Sequence, residues 1–197
     1  MGYALRSSEH YTYADYLTWP EDSRYELIDG QAYLMAPAPT FNHQLLAFEI
    51  AFQVRVALEG KPCTVLAAPI DVRLPKTAES DDEIDTMVQP DVLVVCNPAK
   101  IEQRGLRGAP DWLAEVLSPA SASHDQTIKL KAYERAGVKE YWLVHPLDLV
   151  VTIYRWTEGA YGRPDIQALT GETAIGVLPG VIVRCDAIVE RLLPQQV

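Results

Sequence analysis

Nowhere in the 197-residue sequence do about 18 apolar residues run together, so no segment reads as a membrane-spanning helix. The opening stretch, Met1 to His10, has no long apolar core either, which predicts a chain without a secretory leader. Cysteine is scarce. Cys63, Cys96 and Cys185 are far apart, odd in number and set among apolar neighbours, a pattern that predicts reduced, buried thiols in a cytoplasmic protein. No CxxC pair suggests zinc, and without GxGxxG, GKS/GKT or GxSxG patterns there is no signature of a phosphate-cradling loop or a serine-hydrolase elbow. Positive charge is short as well. Lys and Arg total 17 against 27 Asp and Glu, a net charge of −10, which argues against general charge-driven binding of nucleic acid and leaves room only for a local basic groove.

What is present is the composition of a folded domain. Hydrophobic residues make up 48% and charged residues 22%, and the 14 prolines are dispersed, so the expectation is one domain over 1–197, with C-terminal strands at about 160–190. Thr12 to Trp19 reads as a short helix capped by Thr12 and stopped before Pro20. The pair Asp29-Gly30 between strand-like 25–28 and 31–35 is a strong hairpin signal, because both central turn residues need positive φ. From Thr40 to Glu59 the apolar residues recur at helical spacing, with Gly60 as the stop. His43 lies in the first turn of that helix, where a lone histidine is either structural or catalytic.

Strands are expected at 63–67 and 70–74, with Asp71 and Arg73 on an exposed face alternating against Val72 and Leu74. The acidic segment 75–88 reads as a mobile solvated loop, and 97–110 as a second loop. Between them, Val92–Cys96 is a continuous apolar run of the kind buried on both faces. Asp111–Pro119 is another, and a helix follows it from Ser121 or Ser123 to Ala136, ended by Gly137. Strand 140–144 then completes a crossover that predicts parallel pairing with 112–117, and 149–154 pairs back on it. Tyr141 and Trp142 fall inside a strand and read as core residues rather than as a base-stacking platform.

The chemical clue is Glu115, an acid in the middle of an apolar strand, where an ionised carboxylate needs a cation or hydrogen-bond donors. Asp91 opens the preceding apolar run, and Lys129 begins the helix-like stretch that follows. Two acids on adjacent strands with a nearby lysine suit a hard cation such as Mg²⁺ and a phosphate substrate. The alternative is a buried salt bridge of Glu115 with Lys129 or an arginine and no chemistry, and Asp91 after proline is also a common turn-former or strand-entry residue.

The ordered motifs Tyr25-Glu26-Leu27-Ile28-Asp29-Gly30, His43, Gln89-Pro90-Asp91-Val92, Glu115-Val116-Leu117-Ser118-Pro119, Asp125 with Lys129 and Tyr133, and Gly137-Val138-Lys139-Glu140-Tyr141-Trp142-Leu143-Val144 together resemble the Uma-two family of bacterial nuclease-fold proteins. The resemblance runs from about residue 12 to about residue 156 and implies there an α/β (α+β) restriction-endonuclease-like core of the PD-(D/E)-x-K kind, a central mixed sheet flanked by helices, with an N-terminal helix and hairpin. It implies a Mg²⁺- or Mn²⁺-dependent endonuclease acting on DNA, with Asp91 and Glu115 on the metal and Lys129 completing the catalytic trio. Leu117 stands where the strict pattern has lysine, which is why the lysine is sought on the next helix. Lys131 is the reserve candidate, and Glu26, His43 and Asp71 are possible additional site residues. The expected partners are DNA and a second copy, a homodimer whose shared cleft would be lined by Arg55, Arg104, Arg107 and Lys131. The rival functions are a non-catalytic binding or regulatory module on the same fold and a hydrolase of a small phosphorylated substrate.

Overall fold

Residues 9–20, 24–35 and 39–194 are described by the computed structural model. The stretch read as lacking a leader therefore lies, through Ser8, outside the described residues. Thr12 opens α1 (Tyr13–Tyr16), with the Asp15 carboxylate accepting from the Thr12 N–H at 2.8 Å. This single turn is shorter than the 12–19 stretch suggested. Trp19 instead leaves the helix to pack edge-on against Tyr11, Tyr16 and Tyr25. The hairpin β1 (Tyr25–Ile28) and β2 (Gln31–Leu34) turns through Asp29 at φ 52° and Gly30 at φ 74°, as the Asp-Gly pair requires.

Thr40 caps α2 (Phe41–Ala57) by accepting from the His43 N–H, and Leu46, Ala47, Ile50 and Val54 form the stripe that α2 buries. The chain continues through β3 (Thr64–Ala67), β4 (Val72–Arg73), β5 (Met87–Val88), β6 (Val92–Val95), β7 (Ile101–Glu102), β8 (Gly105–Arg107) and β9 (Trp112–Val116). A helical run follows in three pieces: α3 (Ala122–His124), a π turn over Asp125–Lys129, and α4 (Leu130–Ala136), ended by Gly137 at φ 78°. The remainder is β10 (Glu140–His145), β11 (Val150–Thr157), β12 (Ala160–Tyr161), β13 (Asp165–Ala168), β14 (Glu172–Ala174), β15 (Ile182–Arg184) and α5 (Cys185–Val189).

One sheet has the order β12-β11-β10-β9-β6-β3, with β13 also on β11, and a second has the order β2-β1-β5-β4-β8-β7. The first is mixed: β9 and β10 run parallel, as the crossover predicts, while β6 lies antiparallel to β9. Alternation along β9 divides its side chains. Trp112, Ala114 and Val116 join the layer under α2, whereas Leu113 and Leu117 join the layer shared with Tyr133, Tyr141 and the second sheet. Glu115 therefore points into that second layer.

Three sequence expectations fail here. Arg73 is not on an exposed face: it is fully buried between Asp81 and Glu102, because β4 is covered on both sides. The acidic segment is not a free loop either. Ser80 and Glu83 cap a short 3-10 turn, Ile84 is buried, and Asp81 receives both Arg73 and Arg107. Within 97–110, β7 and β8 form a tight hairpin, and β8 pairs parallel with β4. The cysteine reading is corrected as well. Register puts Thr64 opposite Val95, so Cys63 and Cys96 face each other one step on and form a disulfide, a pairing hidden by 33 residues of sequence. Cys185 alone is a buried thiol, so the cysteine argument for a cytoplasmic setting falls away. Among the described residues no helix is long and apolar enough to cross a membrane.

Candidate active site

The β6–β9 register pairs Val92 with Ala114, and one step further sets Asp91 opposite Glu115. Both acids are tied to the strands. The Val116 N–H donates to Asp91 Oδ2 at 2.8 Å, and the Asp91 N–H reaches Glu115 Oε2 at 3.4 Å. The π turn delivers the third residue. Asp125, Lys129 and Tyr133 recur every four residues on the helical face that looks back at the sheet. Lys129 Nζ lies 2.6 Å from Glu115 Oε1, 2.9 Å from Glu26 Oε1 and 3.6 Å from Asp125 Oδ1, and the residue is only 3% exposed. The Tyr133 hydroxyl donates to Glu115 Oε1 at 2.7 Å. Lys131, two positions on, is exposed and faces away, so the reserve candidate is excluded from this cluster.

Glu26 comes from the N-terminal hairpin and is buried at the centre rather than exposed on its strand. It accepts from the Gln89 N–H at 2.7 Å, and His124 Nε2 stands 3.4 Å away, too poorly aligned for a hydrogen bond. His43 reaches in from α2, its Nε2 3.3 Å from Asp91 Oδ2. Asp71 does not join them. It accepts from Gln89 Nε2 at 2.8 Å and from the Tyr13 hydroxyl at 3.2 Å, and so touches the centre only through Gln89. Together Glu26, Asp91, Glu115, Asp125, Lys129 and His43 line a cleft of about 240 Å³, with Arg24 and Gln44 also on its wall.

Three carboxylates, Glu26, Glu115 and Asp125, share the one charge of Lys129. Burial pushes Glu26 up, but Lys129, nearby His124 and the Gln89 N–H outweigh it and hold its pKa at about 2. Glu115 goes the other way. Burial, reinforced by Asp125, Asp91 and Glu26, raises it well above the usual glutamate value despite Lys129. Burial also raises Asp125. Burial would depress Lys129, yet Glu115, Glu26 and Asp125 keep it protonated far above its ordinary range. His43 is raised because Asp91 more than offsets its burial.

The sequence profile of the Uma2 family, described as "Putative restriction endonuclease", matches residues 13–185. The chain belongs to this family. Among solved structures, the Uma2 chain matches "a putative nuclease belonging to DUF820" from Anabaena variabilis ATCC 29413, with a TM-score of 0.71 and 18% identity over 91% of this chain and 97% of that one. At that identity the likeness shows the fold, and it agrees with the mixed sheet, flanking helices and N-terminal hairpin expected from the sequence. No curated protein matches. In this Uma2 chain the sequence reading brought Asp91, Glu115, Lys129, Glu26 and His43 to one place, but gave no role to Asp125, Tyr133, His124 or Gln89. The spacing of Asp125, Lys129 and Tyr133 at i, i+4 and i+8 was the available signal for the first two. Gln89 stood in the motif Gln89-Pro90-Asp91-Val92 without a role of its own, and nothing pointed to His124, since both act across the chain.

Proposed function

We propose that the protein is a divalent-metal-dependent endonuclease that hydrolyses DNA phosphodiester bonds. What carries the reading is the juxtaposition of Asp91 and Glu115 on adjacent strands beside Lys129 Nζ, inside a cleft that also admits Arg24. The donor set suits Mg²⁺ or Mn²⁺: oxygen ligands in a cluster whose acids outnumber its permanent cations. Among the described residues no three His, Cys, Asp or Glu side chains enclose a cation unaided, so Asp91 and Glu115 would share theirs with water. When bound, such a cation supplies Lewis-acid stabilisation of the charge that builds on phosphate during hydrolysis. Asp91 is presented by the Val116 N–H and His43, and Glu115 by the Tyr133 hydroxyl, so neither carboxylate must reorganise. Lys129 stays protonated. It therefore serves as a hydrogen-bond donor that orients the attacking water and as a charge facing the phosphate, and not as a base.

One observation favours a non-catalytic module instead. Lys129 already satisfies Glu115 and Glu26, as a purely structural buried ion pair would. Both readings meet one experiment: plasmid, linear and single-stranded DNA and RNA are incubated with Mg²⁺ or Mn²⁺, beside Asp91→Ala and Glu115→Gln. The expected outcome is metal-dependent cleavage of DNA that falls about 100-fold or more in each variant while circular dichroism is unchanged. No cleavage and no Mn²⁺ binding at millimolar metal would establish the inert module. Turnover of a small phosphodiester but of no nucleic acid would establish the small-substrate hydrolase.

A further inference from the structure

The chain has three phenylalanines, and all of them lie uncovered on the outer face of one helix. Phe41, Phe48 and Phe52 of α2 are 58%, 64% and 54% exposed, and Val56 is 55% exposed. The partly exposed Leu45 fills the remaining step of the stripe. This face is opposite the Leu46–Ile50–Val54 stripe that packs on the sheet, so α2 is apolar on both sides, which a helix at the edge of a monomer has no reason to be. The Phe48 and Phe52 rings stack with centroids 6.4 Å apart, forming one continuous surface. It offers roughly 500 Å² of apolar area, the size of the largest patch on a typical monomer, which is often a functional one.

We infer that this face is the interface of a homodimer in which the α2 helices of two copies pair antiparallel. The stripe 41, 45, 48, 52, 56 has nearly the same spacing read in either direction. About a two-fold axis beside Phe48, Phe41 meets Val56 of the second copy, Leu45 meets Phe52 of the second copy, and the two Phe48 rings cross at the axis. An isologous interface needs such self-complementarity, and an unrelated partner does not require it. The five stripe residues themselves are uncharged, and the exposed Arg55 borders them on the same face. Antiparallel pairing also sets Glu59, just past the end of α2, beside the positive N-terminal turn of the other helix. Among the described residues, the chain's C-terminal segment does not cover the face. It runs down one flank, held by Asn42 to Leu193, Arg191 to Glu49 and Gln53 to Arg184. Two such faces bury about 1,000 Å² in total, the size of a weak, reversible interface. His43 is in the first turn of α2, so the pairing places the two clefts at opposite ends of the helix pair, without the shared cleft that the basic residues suggested.

The test is sedimentation velocity on the full chain across the micromolar range, for wild type, Phe48→Glu and Phe52→Glu, with oxidative cross-linking of Phe48→Cys. The inference expects a reversible wild-type dimer, a dissociation constant raised about 100-fold or more in either glutamate variant at unchanged circular dichroism, and a covalent dimer through residue 48. A wild type that stays monomeric at every concentration, a dimer indifferent to both glutamates, or a Phe48→Cys chain that does not cross-link would each overturn it. So would a monomer that binds neutral lipid vesicles through this face. The readout is mass and not cleavage, so the outcome is separate from that of the nuclease reading.

Discussion

At Lys129 one ammonium group holds together acids from three distant parts of the chain, Glu26, Glu115 and Asp125. Lys129→Met leaves buried carboxylates facing one another, and a broken buried pair costs about 3–5 kcal/mol. The expected result is a clearly lower urea midpoint at pH 7, partly restored in the double variant Lys129→Met/Glu115→Gln, where one of the stranded charges is gone. Equal midpoints for the single and double variants would show that Glu115 does not feel Lys129. A second residue-scale effect concerns acid stability. Asp111 is part-buried, which alone would raise its pKa, but Lys139 at 2.6 Å and the Cys96 N–H at 2.8 Å lower it below the usual aspartate value. An acid whose folded pKa is depressed contributes stability that is present above its unfolded value of about 3.9 and is lost as pH falls through the folded pKa. Wild type should therefore lose denaturation midpoint below about pH 4 more steeply than Asp111→Asn, and parallel midpoint-against-pH curves would contradict this.

At the scale of elements, the β4–β8 pairing depends on a residue without a side chain. Gly105 sits at φ 105°, and a Cβ there would lie 2.1 Å from the Asp71 carbonyl oxygen, the atom that accepts the Leu106 N–H at 2.8 Å. Gly105→Ala must push these strands apart, with an expected cost of about 3 kcal/mol or more, read as a lower melting temperature. A melting temperature within a degree or so of wild type would show that the hairpin yields freely. The long helix α2, the Asp-Gly hairpin and the β9–β10 crossover were legible in the sequence, because each is announced by a local signal: periodicity, turn chemistry or the handedness of a strand-helix-strand unit. Residues 97–110 were read as loop because two- and three-residue strands carry no periodicity of their own. Their pairing is decided by β4, some thirty residues earlier.

On the scale of the whole molecule, a disulfide joins the edge strand β3 to β6 across 33 residues. By loop-closure entropy such a link contributes about 3–4 kcal/mol. Treatment with reductant, or Cys63→Ser with Cys96→Ser, should lower the urea midpoint accordingly, and a midpoint unmoved by reductant would show the link to be dispensable. The pairing of Asp91 with Glu115, and the need for a cation near them, could be argued from the chain alone, because an acid inside an apolar strand demands a partner wherever it folds. That the same lysine also meets Glu26, that Lys129 rather than Lys131 turns inward, and that Cys63 meets Cys96 are products of tertiary structure. Each joins residues through register or helix phase relative to a distant segment, and local sequence does not say which segment that is. The sequence by itself determined which groups require partners, since burial and charge follow from residue type and periodicity. Only the folded chain decided which partners they have, because that choice depends on distances between segments that no local pattern encodes.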